Sequence, residues 1–332
     1  MKLVLPLVAA AVAAAVVAGI AFARQSPARI GGGGVVIDTN LATGGGQAAG
    51  TGMVLTSSGE VLTNNHVIRG AATIRVVLPG TGHSYSARVV GYDVSDDVAV
   101  LQARGASNLK TSTFASSKTV KVGQSVKALG NAGGTGSLSS AVGRITGLAR
   151  SITVSDDSGG SEHLTGLFET NAPLRAGDSG GPLLNAQGRV VGMDTAASVA
   201  GGSGLGYAAS ADGYAIPIDK ALAIARRIAA GKASAAVHIG PTAFLGIQVA
   251  ADAYGGSGAV VEDVVQGSPA AAAGLAPGDL ITAVGGRAIA SPATLGSIVA
   301  AKKPGARVSI TLVDESGWRH TATVTLASGP PR

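Results

Sequence analysis

The sequence predicts a mainly β protein in two parts: a long region of short strands, then a smaller β-rich module with two helices. Three observations carry this. Runs of Val, Ile, Leu and Thr alternate with Gly-, Ser- and Asn-rich turns from Thr51 onward, the pattern of an all-β barrel or sandwich. Glycine is abundant, at 51 of 332 residues, which argues for turns over long helices. The texture changes near residue 243, beyond which the pairs Ser268-Pro269 and Ser291-Pro292 each announce a helix start. The length agrees with about two domains at roughly 150 residues each.

Taken from the beginning, Lys2 is followed by an apolar run from Leu3 to Ala23 that closes on Ala21-Phe22-Ala23 and Arg24. A positive start, an apolar middle and a small-x-small ending describe a secretory signal over residues 1–23. The run is also long enough to span a bilayer, so an uncleaved anchor formed by residues 3–23 is the alternative, and the only route to a membrane contact. Both readings put the remainder outside the cytoplasm, secreted or in the cell envelope. Residues 24–47 read as a flexible lead-in, with Val35-Val36-Ile37 as a strand candidate. The Gly31–Gly34 run lacks the following Lys-Ser/Thr and the strand-to-helix setting of a phosphate loop.

Residues 48–230 form the first predicted domain. Met53–Leu55 and Val61–Thr63 flank the turn Ser57-Ser58-Gly59 and read as a hairpin. Further strands are expected at Thr73–Leu78, Tyr85–Tyr92, Val98–Gln102, Ser125–Leu129, Ser139–Leu148, Leu167–Thr170, Pro182–Leu184, Val190–Met193 and Tyr214–Ile216. Asp219 is placed to cap a helix over Lys220–Ala230 that Gly231 would stop. Residues 231–242 are the expected linker. In the module over 243–329, strands are expected at Leu245–Ala250, Ala259–Val265, Asp279–Val284, Arg307–Val313 and His320–Leu326.

Composition removes several function classes. The absence of cysteine excludes disulfides, thiol catalysis and cysteine-ligated zinc. The net charge is +6, but the Lys and Arg residues are scattered, with neither a basic helix nor interleaved aromatics, so no nucleic-acid partner is expected. His83, His163, His238 and His320 lack ligand spacing. No metal or cofactor is expected.

One constellation carries chemistry. Serine catalysis needs a hydroxyl to attack, a neutral imidazole to take its proton and a carboxylate to fix the imidazole's tautomer. His66 lies in Thr63-Asn64-Asn65-His66-Val67, at the end of a hairpin strand. Asp97 immediately precedes a buried-looking strand, Asp96 is its competitor, and alternation does not separate them well. Ser179 lies in Gly177-Asp178-Ser179-Gly180-Gly181-Pro182, whose glycines allow a sharp turn. Such a turn lets the amides of Gly177 and Ser179 converge as an oxyanion hole, where each donor contributes about 3 kcal/mol. The order His, Asp, Ser is that of chymotrypsin-like enzymes and agrees with a double β-barrel that holds the site between its halves.

From about residue 48 to the C-terminus the chain resembles the HtrA (Deg) family of proteases, most closely its secreted actinobacterial members. The segments Thr63–Ile68, Asp97–Leu101, Gly177–Pro182 and Gly213–Pro217 carry the likeness. The resemblance implies a chymotrypsin-like barrel domain followed by a PDZ domain. It selects Asp97 over Asp96 and implies a trimer. In the tail, Phe244-Leu245-Gly246-Ile247 matches the loop that holds a peptide's C-terminal carboxylate, so a peptide C-terminus would add as a strand beside it. Many members carry Asn where this chain has Asp178, which leaves open how that acid is neutralised. Trypsins carry Asp six positions before the nucleophile. Here that position is Pro173, so small or medium apolar P1 residues are expected.

The implied function is a serine endopeptidase acting on unfolded or extracellular proteins through an acyl-enzyme. The alternative is a peptide-binding chaperone whose protease fold is resting or silent, with the Gly-rich stretch over 198–213 as the element that holds it so.

Overall fold

The computed structural model describes residues 33–42, 46–155, 161–195, 213–251 and 256–332. The first six strands are β1 (Gly34–Leu41), β2 (Gln47–Val54), β3 (Glu60–Thr63), β4 (Ala71–Val77), β5 (Ser84–Asp93) and β6 (Val98–Ala103), with the one-turn helix α1 (Asn65–Ile68) between β3 and β4. They pair in the order β5-β4-β1-β2-β3-β6, and β6 pairs again with β5, which closes a barrel. Alternating aliphatics fill it: Val35, Ile37, Val54, Val61, Ile74, Val76 and Leu101 are all buried, as expected where every second residue of a strand faces one side.

The lead-in expected over 24–47 therefore contains a central strand. β1 is hydrogen-bonded along both edges, to β2 and β4. The Val35-Val36-Ile37 strand candidate forms there, and its burial outweighs the coil preference of its glycine-rich flanks. The apolar run at residues 3–23 and the Gly-rich stretch over 198–212 lie outside the described residues, among which no helix is long and apolar enough to cross a membrane.

A second closed barrel follows, from β7 (Ser125–Gly130), β8 (Ser139–Ser155), β9 (Ser161–Thr170), β10 (Pro182–Leu184), β11 (Val190–Thr195) and β12 (Gly213–Pro217). Its interior holds Val126, Ile145, Phe168, Leu174, Leu183, Val191 and Ala215. A further apolar cluster joins the barrels: Met53, Leu62, Val98 and Val100 from the first meet Leu129, Leu184, Met193 and Ile216 from the second. Helix α2 (Ile218–Ala229) packs on this seam through Ile218, Ala221, Ile224, Ala225 and Ile228, the one-sided spacing of an amphipathic helix. It begins at Ile218, one turn's edge earlier than expected. Asp219 is not its cap. Its carboxylate instead accepts from Ser116 Oγ (2.8 Å) and the Ser117 amide (3.0 Å).

The segment after α2 is not a free linker. Its β13 (Val237–Ile239) adds antiparallel to β5, and His238 stacks on Tyr92 with ring centroids 4.9 Å apart. The C-terminal module comprises β14 (Thr242–Phe244), β15 (Ile247–Ala250), β16 (Ala259–Val264), α3 (Pro269–Ala272), β17 (Leu280–Val284), β18 (Arg287–Ala288), α4 (Pro292–Ala300), β19 (Arg307–Val313), β20 (Arg319–Thr325) and β21 (Ala327–Gly329). The main sheet runs β15-β16-β17-β19-β20, and β14 pairs with β21. Ser268 and Ser291 cap α3 and α4 as the sequence predicts, accepting from the amides of Ala271 and Thr294. The chain's last residues return to the first barrel: Asn65 Nδ2 donates to the Arg332 main-chain oxygen (2.9 Å) and the Gly70 amide to Pro331 O (2.9 Å).

Candidate active site

β3 runs into α1, which puts His66 at the rim of the first barrel with its side chain about one-third exposed. Asp97 sits in the turn between β5 and β6, 1% exposed and in the left-handed region at φ 52°. Three contacts tie the two segments. Asn64 Nδ2 donates to the Asp97 carbonyl (2.9 Å), the His66 amide donates to Asp97 Oδ1 (3.0 Å), and His66 Nδ1 lies 2.8 Å from Asp97 Oδ2. With the carboxylate ionised, Nδ1 carries the ring proton and Nε2 keeps a free lone pair, the tautomer a base requires. Asp96 points elsewhere and pairs with Lys220 Nζ at 2.6 Å.

The segment bearing Ser179 is pinned to the same rim. The Thr51 amide donates to Ser179 O (2.9 Å) and Thr51 Oγ1 to Gly177 O (2.6 Å). Thr51 Oγ1 in turn accepts from the Asn131 amide (2.9 Å). Gly180 shows why the turn needs glycine. It has φ 82°, and a Cβ there would overlap Thr51 O and Thr63 Oγ1, atoms of the two strands that lead to His66. Ser179 itself is 6% exposed. The structure thus brings the segments of His66, Asp97 and Ser179 together where the two barrels meet.

Two further residues complete the setting, and sequence reading missed both. Thr195, at the end of β11, donates from Oγ1 to Asp97 Oδ2 (3.2 Å). The strand expected to end at Met193 runs two residues further to reach it. Its neighbour Asp194 is fully buried. Burial, and secondly the negative charge of Asp178, hold the Asp194 carboxyl well above the usual aspartate range. An acid directly after the apolar run Val190–Met193 is the signal that could have found it.

In the C-terminal module, Gly246 turns the chain at φ 86° between Leu245 and β15. Its carbonyl accepts from the Val265 amide (2.9 Å) and Ser268 Oγ (3.2 Å), and the Leu245 carbonyl accepts from the Ala270 amide (2.9 Å). Phe244 is half-buried and Leu245 buried. Ile247 opens β15, an edge strand of its sheet.

Comparison with known proteins agrees with this architecture. Residues 50–193 match the family model for a trypsin-like peptidase domain and residues 243–325 that for a PDZ domain. The chain is 34% identical over 310 residues to the serine protease PepD of Mycobacterium tuberculosis, an alignment covering 88% of this chain and 63% of PepD. It is 33% identical over 275 residues to the periplasmic pH-dependent serine endoprotease DegQ of Escherichia coli, covering 80% of this chain and 57% of DegQ. Its homologues are serine proteases of the HtrA/Deg family. Among solved structures, the HtrA-type protease AlgW with a tripeptide matches at a TM-score of 0.51 and 28% identity, covering 90% of this chain and 95% of AlgW.

The chain is mainly β, a trypsin-like barrel domain followed by a PDZ domain. It spans 63% and 57% of the lengths of PepD and DegQ.

Proposed function

We propose that this chain is an extracytoplasmic serine endopeptidase in which Ser179 is the nucleophile, His66 the general base and Asp97 the residue that fixes and supports the imidazole. Ser179 Oγ attacks the scissile carbonyl while His66 Nε2 takes its proton. The amides of Gly177 and Ser179 receive the developing oxyanion. His66 then gives the proton to the leaving amine as the C–N bond breaks. Water, activated by the same base, releases the acyl group from Ser179.

The observation that carries this reading is the two-point hold of Asp97 on His66, beside a Ser179 segment anchored on Thr51. The periplasmic location named for relatives such as DegQ supports an extracytoplasmic site of action. The edge strand β15 and the Phe244–Ile247 turn offer a peptide C-terminus a place to add as a further strand, so protein and peptide chains are the partners of both parts. Assembly as a trimer is part of the same family reading.

A fluorophosphonate reagent tests the nucleophile, base and oxyanion hole together. The full chain should label stoichiometrically and Ser179→Ala not at all. Equal labelling of the two, or none of either, would leave only a peptide-binding chaperone.

A further inference from the structure

We propose that Asp194 is a positioning residue for Ser179 that works only as the uncharged acid, set against the carboxylate of Asp178. This rests on the reading of Ser179 as nucleophile and names how its loop is held.

The main chain of Asp194 is the clamp. Its amide donates to Gly181 O and its carbonyl accepts from the Gly180 amide, both at 2.8 Å. These are the two residues that follow Ser179. The next residue, Thr195, reaches Asp97. Nucleophile loop and imidazole support therefore converge on one short stretch at the end of β11.

The side chain sits in an apolar wall. Asp194 pairs with Ala215 across the β11–β12 ladder, and directly opposed residues share a face. Ala215 belongs to the core of the second barrel, with Ala172, Leu174 and Leu183. Neither Asp194 carboxyl oxygen has a hydrogen-bond partner among the described residues. An ionised carboxylate left so in an apolar interior costs several kcal/mol.

The charge of one neighbouring acid raises the Asp194 carboxyl further. That acid is Asp178, 2% exposed, whose carbonyl accepts from the same Gly181 (2.9 Å) and whose Oδ2 accepts from the Arg175 amide (2.9 Å). Arg175 itself is exposed, β10 carries no titratable residue, and Lys127 of β7 is exposed. Tyr214 of β12 lies opposite Thr195, on the other face, paired across β9 with Glu169. His66 and Asp97 stand beyond Thr195. Two carboxylates in one buried patch do not both ionise readily. Asp194, without a donor among the described residues, keeps the proton, while Asp178 Oδ2 accepts from the Arg175 amide.

The linkage sign follows. A carboxyl raised in the fold contributes stability that is fully present below the unfolded aspartate value near 4 and is lost as pH rises through the folded value. Once Asp194 ionises, repulsion from Asp178 and the need for water push the end of β11 outward. Gly180, Gly181 and Thr195 then lose their register, and Ser179 labelling falls on the alkaline side.

The test compares the full chain with Asp194→Asn and Asp178→Asn from about pH 4 to pH 10, a span chosen around the ordinary aspartate value. Two readouts are taken, thermal midpoint and fluorophosphonate labelling rate. The Asp194→Asn midpoint should gain on the parent steadily as pH rises, and its labelling should lose the alkaline fall that the parent shows. Asp178→Asn removes the neighbouring charge, so its alkaline fall should move to lower pH rather than vanish. A midpoint difference that is flat with pH overturns the uncharged acid. A parent without an alkaline fall, or one shared unchanged by Asp194→Asn, overturns the positioning role. Absence of labelling at every pH refutes the nucleophile reading instead, and the midpoints still judge Asp194.

Discussion

Asp97 grips His66 at two points, Oδ1 on the backbone amide at 3.0 Å and Oδ2 facing Nδ1 at 2.8 Å. The amide contact fixes where the residue begins and the ring contact fixes which way it faces. A carboxylate that bonded the ring alone would leave α1 free to rotate the imidazole away. Thr195 and Asn64 hold Asp97 from two further sides, so the position of the base is set from the seam outward.

The adjacent acids 96 and 97 should separate sharply. Asp97→Asn leaves the ring with the wrong tautomer and should lower kcat by about 10⁴-fold. Asp96→Asn removes the partly exposed pair with Lys220 and should cost under about 1 kcal/mol of stability, with hydrolysis of an unfolded protein substrate retained. Pre-steady-state acylation rates decide it, and losses of similar size at both positions would reject the assignment.

Thr195→Val deletes one hydrogen bond to Asp97 Oδ2 while keeping side-chain shape. The expected loss is about 1–1.5 kcal/mol, roughly tenfold in kcat/KM, carried by kcat rather than KM. Thr195→Ser should restore most of it. Failure of the serine to rescue would mean that the methyl group, not the hydroxyl, matters there.

Ease of reading differed along the chain for physical reasons. His66 and Ser179 stand in short runs whose glycines and flanking strands are dictated locally, so both could be singled out as candidates in one dimension. The choice between Asp96 and Asp97 could not be made there. In space Asp97 meets His66 while Asp96 pairs with Lys220, more than a hundred positions downstream, and in the sequence only the family resemblance favoured Asp97. Thr195 carries no local mark, because its partner arrives from the other barrel. β1 was nearly lost because its strand strength comes from two neighbours the sequence does not announce.

Gly246→Ala should disable the C-terminal module selectively. The residue sits at φ 86°, and a Cβ would overlap the Ser268 side chain that caps α3. Strain and displacement together should cost about 2–3 kcal/mol, read as a lowered unfolding transition for that module and loss of binding to a peptide with a free C-terminal carboxylate. Ser179 labelling should persist. Undiminished peptide binding would contradict the assigned turn.

A basic P1 side chain finds Pro173 where trypsins offer an acid, so cleavage should favour Val, Ala or Leu at P1 over Lys or Arg. Profiling with a mixture of unstructured peptides measures this directly, and a Lys or Arg preference would refute it.

The contact of residues 331–332 with α1 carries a practical warning. Asn65 and Gly70 hold the main-chain oxygens of Arg332 and Pro331, and Arg332 Nη1 reaches back to Gly296 O on α4 (2.8 Å). Bulk introduced at residues 331–332 would press on the very turn that presents the imidazole, and a change made far away in the sequence would register in the kinetics.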